Sequence, residues 1–188
     1  MKMVDHDEQL ADELLVLECQ DGNVKAMDLL VVRWQQRLWR YAYRLTGSAE
    51  AAWEVTQESW LGIVRGISRL NDPARFGSWA YRIATNKARD WIARTSKARR
   101  ASGNYVRHGP ETSESKDRQT RDELQAIMGR LPEQSRTVLT LHYLEGFNVA
   151  DIAAILRIPQ GTVKSRLYKA RNELKTLWVQ ESESGRQP

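Results

Sequence analysis

The chain has 188 residues, 41% of them hydrophobic and 28% charged, a balance that fits one ordinary domain or two small ones rather than a disordered chain. It holds no run of about 18 apolar residues, so no helical membrane span and no membrane insertion is expected, and its acidic opening, MKMVDHDEQLADELLVL, lacks the basic head and apolar middle of a signal peptide. A net charge of +5 points to polyanionic partners, while a single cysteine, Cys19, leaves no internal disulfide and suits a reducing cytoplasm.

Charge divides the chain. Residues 1–20 form an acidic segment with one lysine against six Asp and Glu, whereas residues 21–94 carry twelve basic and seven acidic side chains. In the body from Asp21 to Arg94, Met27, Leu30, Val31, Trp34, Leu38, Tyr41 and Leu45 recur at steps of three and four, which predicts an amphipathic helix. Thr46-Gly47-Ser48 ends it, with Gly47 suited to the left-handed residue after a helix and Ser48 to the N-cap of the next. The second helix is expected to bury Trp53, Trp60, Val64 and Ile67 and to stop near Asn71-Asp72-Pro73. Asp72 and Pro73 then open a third helix, FGSWAYRIATNKARDWIAR, with Phe76, Ala80, Ile83, Ala84 and Trp91 on its apolar side. From residue 95 to 120 the periodicity disappears into a polar stretch with Gly, Pro and Ser, which reads as a flexible linker; its basic part, Lys97 to Arg100, suits either a solvated helix end or a phosphate backbone.

The second body, residues 121–179, starts with a stripe of Leu124, Ile127, Met128 and Leu131. Pro132 opens a further helix with Val138, Leu139, Leu141 and Leu144, ended by Gly146, and residues 180–188 form a tail. The run VADIAAILRIPQGTVKSRLYKARNEL then has the layout of a helix-turn-helix. Small Ala153 and Ala154 are expected to allow a close helix crossing, and Gly161 to relieve the turn. On its second helix Val163, Leu167, Ala170 and Leu174 share one face, which leaves Lys164, Ser165, Tyr168, Lys169 and Asn172 outward. Such a helix fits a DNA major groove, with Arg166 and Arg171 on its flanks and Thr162 at its start in reach of phosphates. A hairpin with a merely solvated lysine face is the plainer alternative.

Two further stripes lie in the first body. Glu54, Gln57, Glu58 and Leu61 suit a docking face for a basic protein helix, or an ordinary solvated face. Trp79, Arg82, Asn86 and Arg89, with Arg75 in the loop before them, combine an aromatic with cations and an amide, as a single-stranded nucleic acid surface requires; a core tryptophan with snorkelling arginines is the alternative. No strand pattern appears, so the fold class is all-α: two small helical domains joined by a flexible linker.

RLTGSAEAAWEVTQESWLGIVRGI with FGSWAYRIATNKARDWIAR resembles region 2 of the extracytoplasmic-function (ECF) group of sigma-70 family factors, and LPEQSRTVLTLHYLEGFNVADIAAILRIPQGTVKSRLYKARNEL resembles their region 4. The likeness covers about Ala11 to Leu177. It implies a sigma region 2 helical bundle, a region 4 helix-turn-helix, and a dissociable subunit of core RNA polymerase. It implies docking on the polymerase through Glu54, Gln57, Glu58 and Leu61. It further implies opening of the −10 element as single-stranded DNA through Asn71, Arg75, Phe76, Trp79, Arg82, Asn86 and Arg89. The duplex −35 element would be read by Thr162, Lys164, Ser165, Arg166, Tyr168, Lys169 and Arg171, the linker would run toward the RNA exit path, and an anti-sigma factor would hold the chain inactive. Glu54 stands where the family often has Asp, and Trp60 where it usually has Phe; both keep the chemistry.

An enzyme is not expected. His6, His108 and His142 are scattered, one cysteine makes no zinc cluster, and no phosphate-binding glycine pattern occurs, so neither cofactor nor metal is implied. The rival readings are a stand-alone helix-turn-helix regulator and a protein-binding adaptor; the third helix separates them, since a repressor needs no single-strand surface.

Overall fold

A computed structural model describes residues 6–102 and 124–184. The elements are α1 (His6–Gln20), α2 (Val24–Thr46), α3 (Ala49–Gly66), short 3-10 turns at Ile67–Arg69 and Pro73–Arg75, and α4 (Phe76–Ser102). They are followed by α5 (residues 124–130), α6 (Glu133–Leu139) running into a π turn (Thr140–Leu144), α7 (Val149–Leu156) and α8 (Gln160–Ser184). Among the described residues there is no strand, as the all-α expectation requires.

The acidic head is itself a helix. α1 lies on α2 with Val16 fully buried, and its acids answer the arginines of α2: Asp12 meets Arg33 at 2.7 Å and Glu8 meets Arg37 at 2.8 Å. The Gln20 amide donates to the carbonyls of Ile67 and Leu70 at 2.9 and 2.8 Å, which pins the end of α1 to the turn after α3.

Asn23 caps α2 by accepting from the backbone N–H of Lys25 and Ala26, and Leu30, Trp34, Leu38, Tyr41 and Leu45 form its buried face. At its end Gly47 takes φ 72° and donates its N–H to Tyr43, and Ser48 caps α3 through Ala51. α3, however, buries only part of the expected stripe: Ile67 just after it is buried and Trp60 packs half-buried against the core. Trp53 and Val64 are exposed, and the contact face is Ala51, Ala52, Val55, Thr56, Ser59 and Ile63. The reason is steric: small side chains let α3 lie close to α2 and α4, and the Thr56 and Ser59 hydroxyls satisfy themselves on carbonyls four residues back. Trp53 covers the seam from outside, tilted against Trp39 with ring centroids 5.8 Å apart.

Asp72 accepts from Ala74 N–H and opens the Pro73 turn that feeds α4. α4 does not stop at Arg94. It continues through Ser102, so residues 95–102 are helix rather than linker, and the rest of the expected linker lies outside the described residues. Ala, Lys and Arg are good helix formers, and adding residues to an existing helix needs no new nucleation.

In the second body Ile127, Met128, Leu131, Val138, Leu139 and Leu141 are buried, while Leu144 is exposed. Asn148 caps α7 by accepting from Asp151 N–H. The turn between α7 and α8 is made by Arg157, at φ 53° and ψ 48°, with its N–H on the Ala153 carbonyl. Gly161 does not relieve this turn: it has no positive φ, and it sits inside the first turn of α8 with open space where a Cβ would point. Of the two alanines expected at the crossing, Ala153 packs against the core and Ala154 is exposed. The two bodies meet, with α4 against α7 and α2 against α6, and share one continuous core.

Candidate nucleic-acid interface

α8 presents two chemically distinct faces. Val163, Leu167 and Ala170 are buried and Leu174 half-buried, which fixes the helix's rotation. Lys164, Ser165, Tyr168, Lys169 and Asn172 then stand in solvent, Tyr168 at 69% exposure. Lys169 is held only loosely, 3.7 Å from Glu173, so its ammonium is available to an anion. Ser165 donates its hydroxyl back to the Thr162 carbonyl at 3.0 Å, leaving its oxygen as an acceptor. The Thr162 N–H is committed to Pro159 at 2.9 Å, so the half-buried Thr162 has its hydroxyl to offer rather than its amide. Arg166 is half-buried, and Arg171 lies over the Tyr143 ring, 5.8 Å from its centroid, at the edge of the face.

The α4 stripe is less uniform than its spacing suggests. Phe76 is buried, its ring meeting Trp34 edge-on at 5.2 Å, so it belongs to the core and cannot meet a base. Trp79 is half-buried: its ring tilts on Phe76 and lies where a Cβ on Gly66 would come within 2.9 Å of it. Asn71, Arg75 and Asn86 are exposed, Arg75 with a 3.1 Å contact to Asp72. Arg82 and Arg89 turn toward the second body. Burial, with the like charge of Arg157 behind it, holds the Arg82 guanidinium below its ordinary pKa, and Arg89 meets Glu133 at 3.2 Å.

The third stripe lines a groove between α3 and α4. Glu54 accepts from Trp91 Nε1 at 2.8 Å and from Arg94 at 3.0 Å, and Glu58 pairs with Lys87 at 2.9 Å. The Lys87 hydrogen bond and charge hold the Glu58 carboxyl below the usual carboxylate range. Gln57 and Leu61 are exposed beside them. The stripe is therefore surface, but its carboxylates already have cationic neighbours on α4. Among the described residues no cluster of His, Cys, Asp and Glu has metal-binding geometry, and no helix is long and apolar enough to cross a membrane.

Two family descriptions match this chain: Sigma-70 region 2 over residues 30–98 and Sigma-70, region 4 over residues 121–174. The RNA polymerase sigma-H factor of Pseudomonas aeruginosa is 33% identical over 181 residues, covering 88% of this chain and 93% of that protein. The ECF RNA polymerase sigma-E factor of Escherichia coli is 33% identical over 180 residues, covering 89% and 94%. The chain belongs to the ECF group of sigma-70 family sigma factors. Among solved structures, CnrH in complex with the cytosolic domain of CnrY aligns at TM-score 0.69 and 24% identity, covering 90% of this chain and 97% of that one. The sigma factor RpoE with the anti-sigma factor NepR from Bartonella quintana aligns at TM-score 0.71 and 20% identity, covering 83% and 98%. At those identities the two structures speak for the fold.

Within this sigma factor, sequence reasoning missed the cluster that joins region 2 to region 4. Glu145 has a side chain only 10% exposed and accepts from the Arg44 guanidinium and the Tyr81 hydroxyl. Phe147 meets the Tyr81 ring edge-on at 5.0 Å, and Gln125 donates to the Tyr43 carbonyl. Burial first, then the charge and hydrogen bond of Glu145, push the Tyr81 phenol far above its ordinary pKa, so it stays a neutral donor. No local signal marks these residues, because the partners lie 64 and 101 positions apart.

Proposed function

We propose that the chain binds core RNA polymerase in the cytoplasm and directs transcription initiation at its own class of promoters. The observation that carries this is the outward face of α8, held in solvent by burial of Val163, Leu167 and Ala170 in a chain that belongs to the sigma-70 family. Lys164, Ser165, Tyr168 and Lys169 read base edges of the −35 duplex, where each well-made bidentate contact is worth roughly 1–3 kcal/mol of discrimination. Thr162, Arg166 and Arg171 hold the backbone and set the register.

Asn71, Arg75 and Asn86 face the displaced −10 strand, joined by Trp79 at its open edge and by Arg82 and Arg89 once region 4 moves away. Gln57 and Leu61, with Glu54 and Glu58 after exchange of Arg94 and Lys87, dock on a basic surface of the polymerase. The chain contributes binding and strand capture; the polymerase supplies the nucleotidyl chemistry, and no metal or cofactor of the chain's own takes part. An anti-sigma factor is the expected antagonist, in keeping with the NepR complex of the RpoE relative.

Run-off transcription with purified core polymerase on genomic promoter fragments tests this. Transcripts that start at defined sites only when the chain is present are the expected result. No stimulation across the library, with specific duplex binding by the chain alone, would replace the reading with that of a stand-alone regulator.

A further inference from the structure

We propose that region 4 acts as an acidic plug on region 2 in the free chain: Glu145 and Glu133 occupy cations that the phosphates of single-stranded DNA take in the open state. The inference deepens the function proposed above and rests on it only for the identity of the strand.

Beside the shared apolar core, the charged contacts that close the two regions are anion on cation. Glu145 leaves the π turn with both carboxylate oxygens used, one on Arg44 and one on Tyr81. Glu133, in the first turn of α6, meets Arg89 on α4. A phosphate offers the same charge and the same acceptor geometry to an arginine fork as a carboxylate does. Region 4 thus supplies two carboxylates where a nucleic-acid backbone would supply two phosphates. This adds Arg44 and the Tyr81 hydroxyl to the strand-binding surface, neither of which the α4 stripe contains.

The same interface carries a contact that works against closure. Arg82 sits half-buried beside Arg157 of the helix-turn-helix, and both burial and that like charge disfavour its ionised form. A polyanion reaching Arg82 would relieve the repulsion that closure imposes. The desolvation cost of the Glu145 pair offsets much of its attraction, so such a pair fixes geometry more than it stabilises. The closure is specific in shape and open to a competitor of matching charge.

Four full-length proteins test this: the wild type, Glu133→Gln/Glu145→Gln, Arg44→Gln/Arg89→Gln, and Asp7→Asn/Asp28→Asn. The last removes the same two negative charges from exposed positions on α1 and α2. The radius of gyration by X-ray scattering reads closure. Fluorescence anisotropy of a labelled mixed-sequence oligonucleotide of about 12 nucleotides reads strand binding. Both Gln doubles should expand relative to the wild type. Glu133→Gln/Glu145→Gln should bind the oligonucleotide about fivefold or more tighter than the Asn double, the gain expected from removing two competing ion pairs. Arg44→Gln/Arg89→Gln should expand without that gain.

Unchanged scattering in both Gln doubles would overturn the plug. Equal tightening by the Asn double would overturn the competition, since net charge alone would explain it. Failure of the run-off assay with these binding results intact would remove the promoter function and leave the plug standing.

Discussion

Phe76→Ala separates a core residue from a base-contacting one at a position where sequence spacing suggests the former and the family resemblance the latter. The side chain is 1% exposed and packs against Trp34 and Trp79 at centroid distances of 5.2 and 6.1 Å. Truncating a buried phenylalanine removes its transfer free energy and leaves a cavity, at a cost of about 3–5 kcal/mol, of which each aromatic pair carries about 0.5–1.5 kcal/mol. A domain of this size has roughly 5–15 kcal/mol in total, so the variant loses about a fifth of it or more. At roughly 4–8 °C per kcal/mol for a body of 60–100 residues, the melting temperature should fall by about 12–40 °C. Phe76→Leu, closer in volume, should lose about 1–2 kcal/mol. Thermal and urea denaturation followed by circular dichroism measure both. A Phe76→Ala protein that melts within a few degrees of the wild type, yet loses oligonucleotide binding, would refute the core assignment.

Gly47→Ala should cost about 1 kcal/mol, because the position sits at φ 72° with open space around it and the penalty is backbone alone; Gly47→Asn should recover part of it in the same denaturation experiment. Burial holds the phenols of Tyr41 and Tyr81 far above the ordinary tyrosine range, so the folded chain keeps both protons while the unfolded chain loses them near pH 10. The contribution is fully present below that pH. Above it, stability should fall by up to about 1.4 kcal/mol per pH unit for each phenol, and urea midpoints of the Tyr41→Phe/Tyr81→Phe protein should fall less steeply. Lys164→Ala should weaken specific duplex binding by about 1–3 kcal/mol if the ammonium reads a base; a uniform loss across sequences, with the salt slope reduced by about 1, would make it a phosphate contact instead.

The helical periodicity of α2 and the outward face of α8 are legible in the sequence because local pattern decides both. Gly47 and Ser48 are legible for the same reason: a left-handed residue and a cap are properties of a few adjacent positions. α3 shows where this fails. Of its large side chains at helical spacing, Trp53 and Val64 fall outside the contact face, since close packing chose Ala51, Ala52, Val55 and Ser59. α1 carries too many acids to look like a packed helix, and only the arginines of α2 give Asp12 and Glu8 their partners. Arg157 takes the left-handed place that composition assigns to Gly161. Spacing puts Phe76 on the apolar side of its helix while the resemblance puts it against a base, and the Trp34 ring packed on it decides for the core.

The shared carboxylate of Glu145 also bears on how such proteins can be recombined. Sigma regions look like interchangeable modules, a reader of one element joined to a reader of the other. Here the module boundary runs through a hydrogen-bonded cluster: Arg44 and Tyr81 belong to one half, Glu145 and Phe147 to the other. A chimaera that takes region 4 from a relative without an acid at that position would leave Arg44 and a buried phenol facing a surface that does not answer them. Promoter preference would be exchanged, and the closed state would be lost along with it. Restoring it would mean transplanting the cluster as a unit, residues from both halves together.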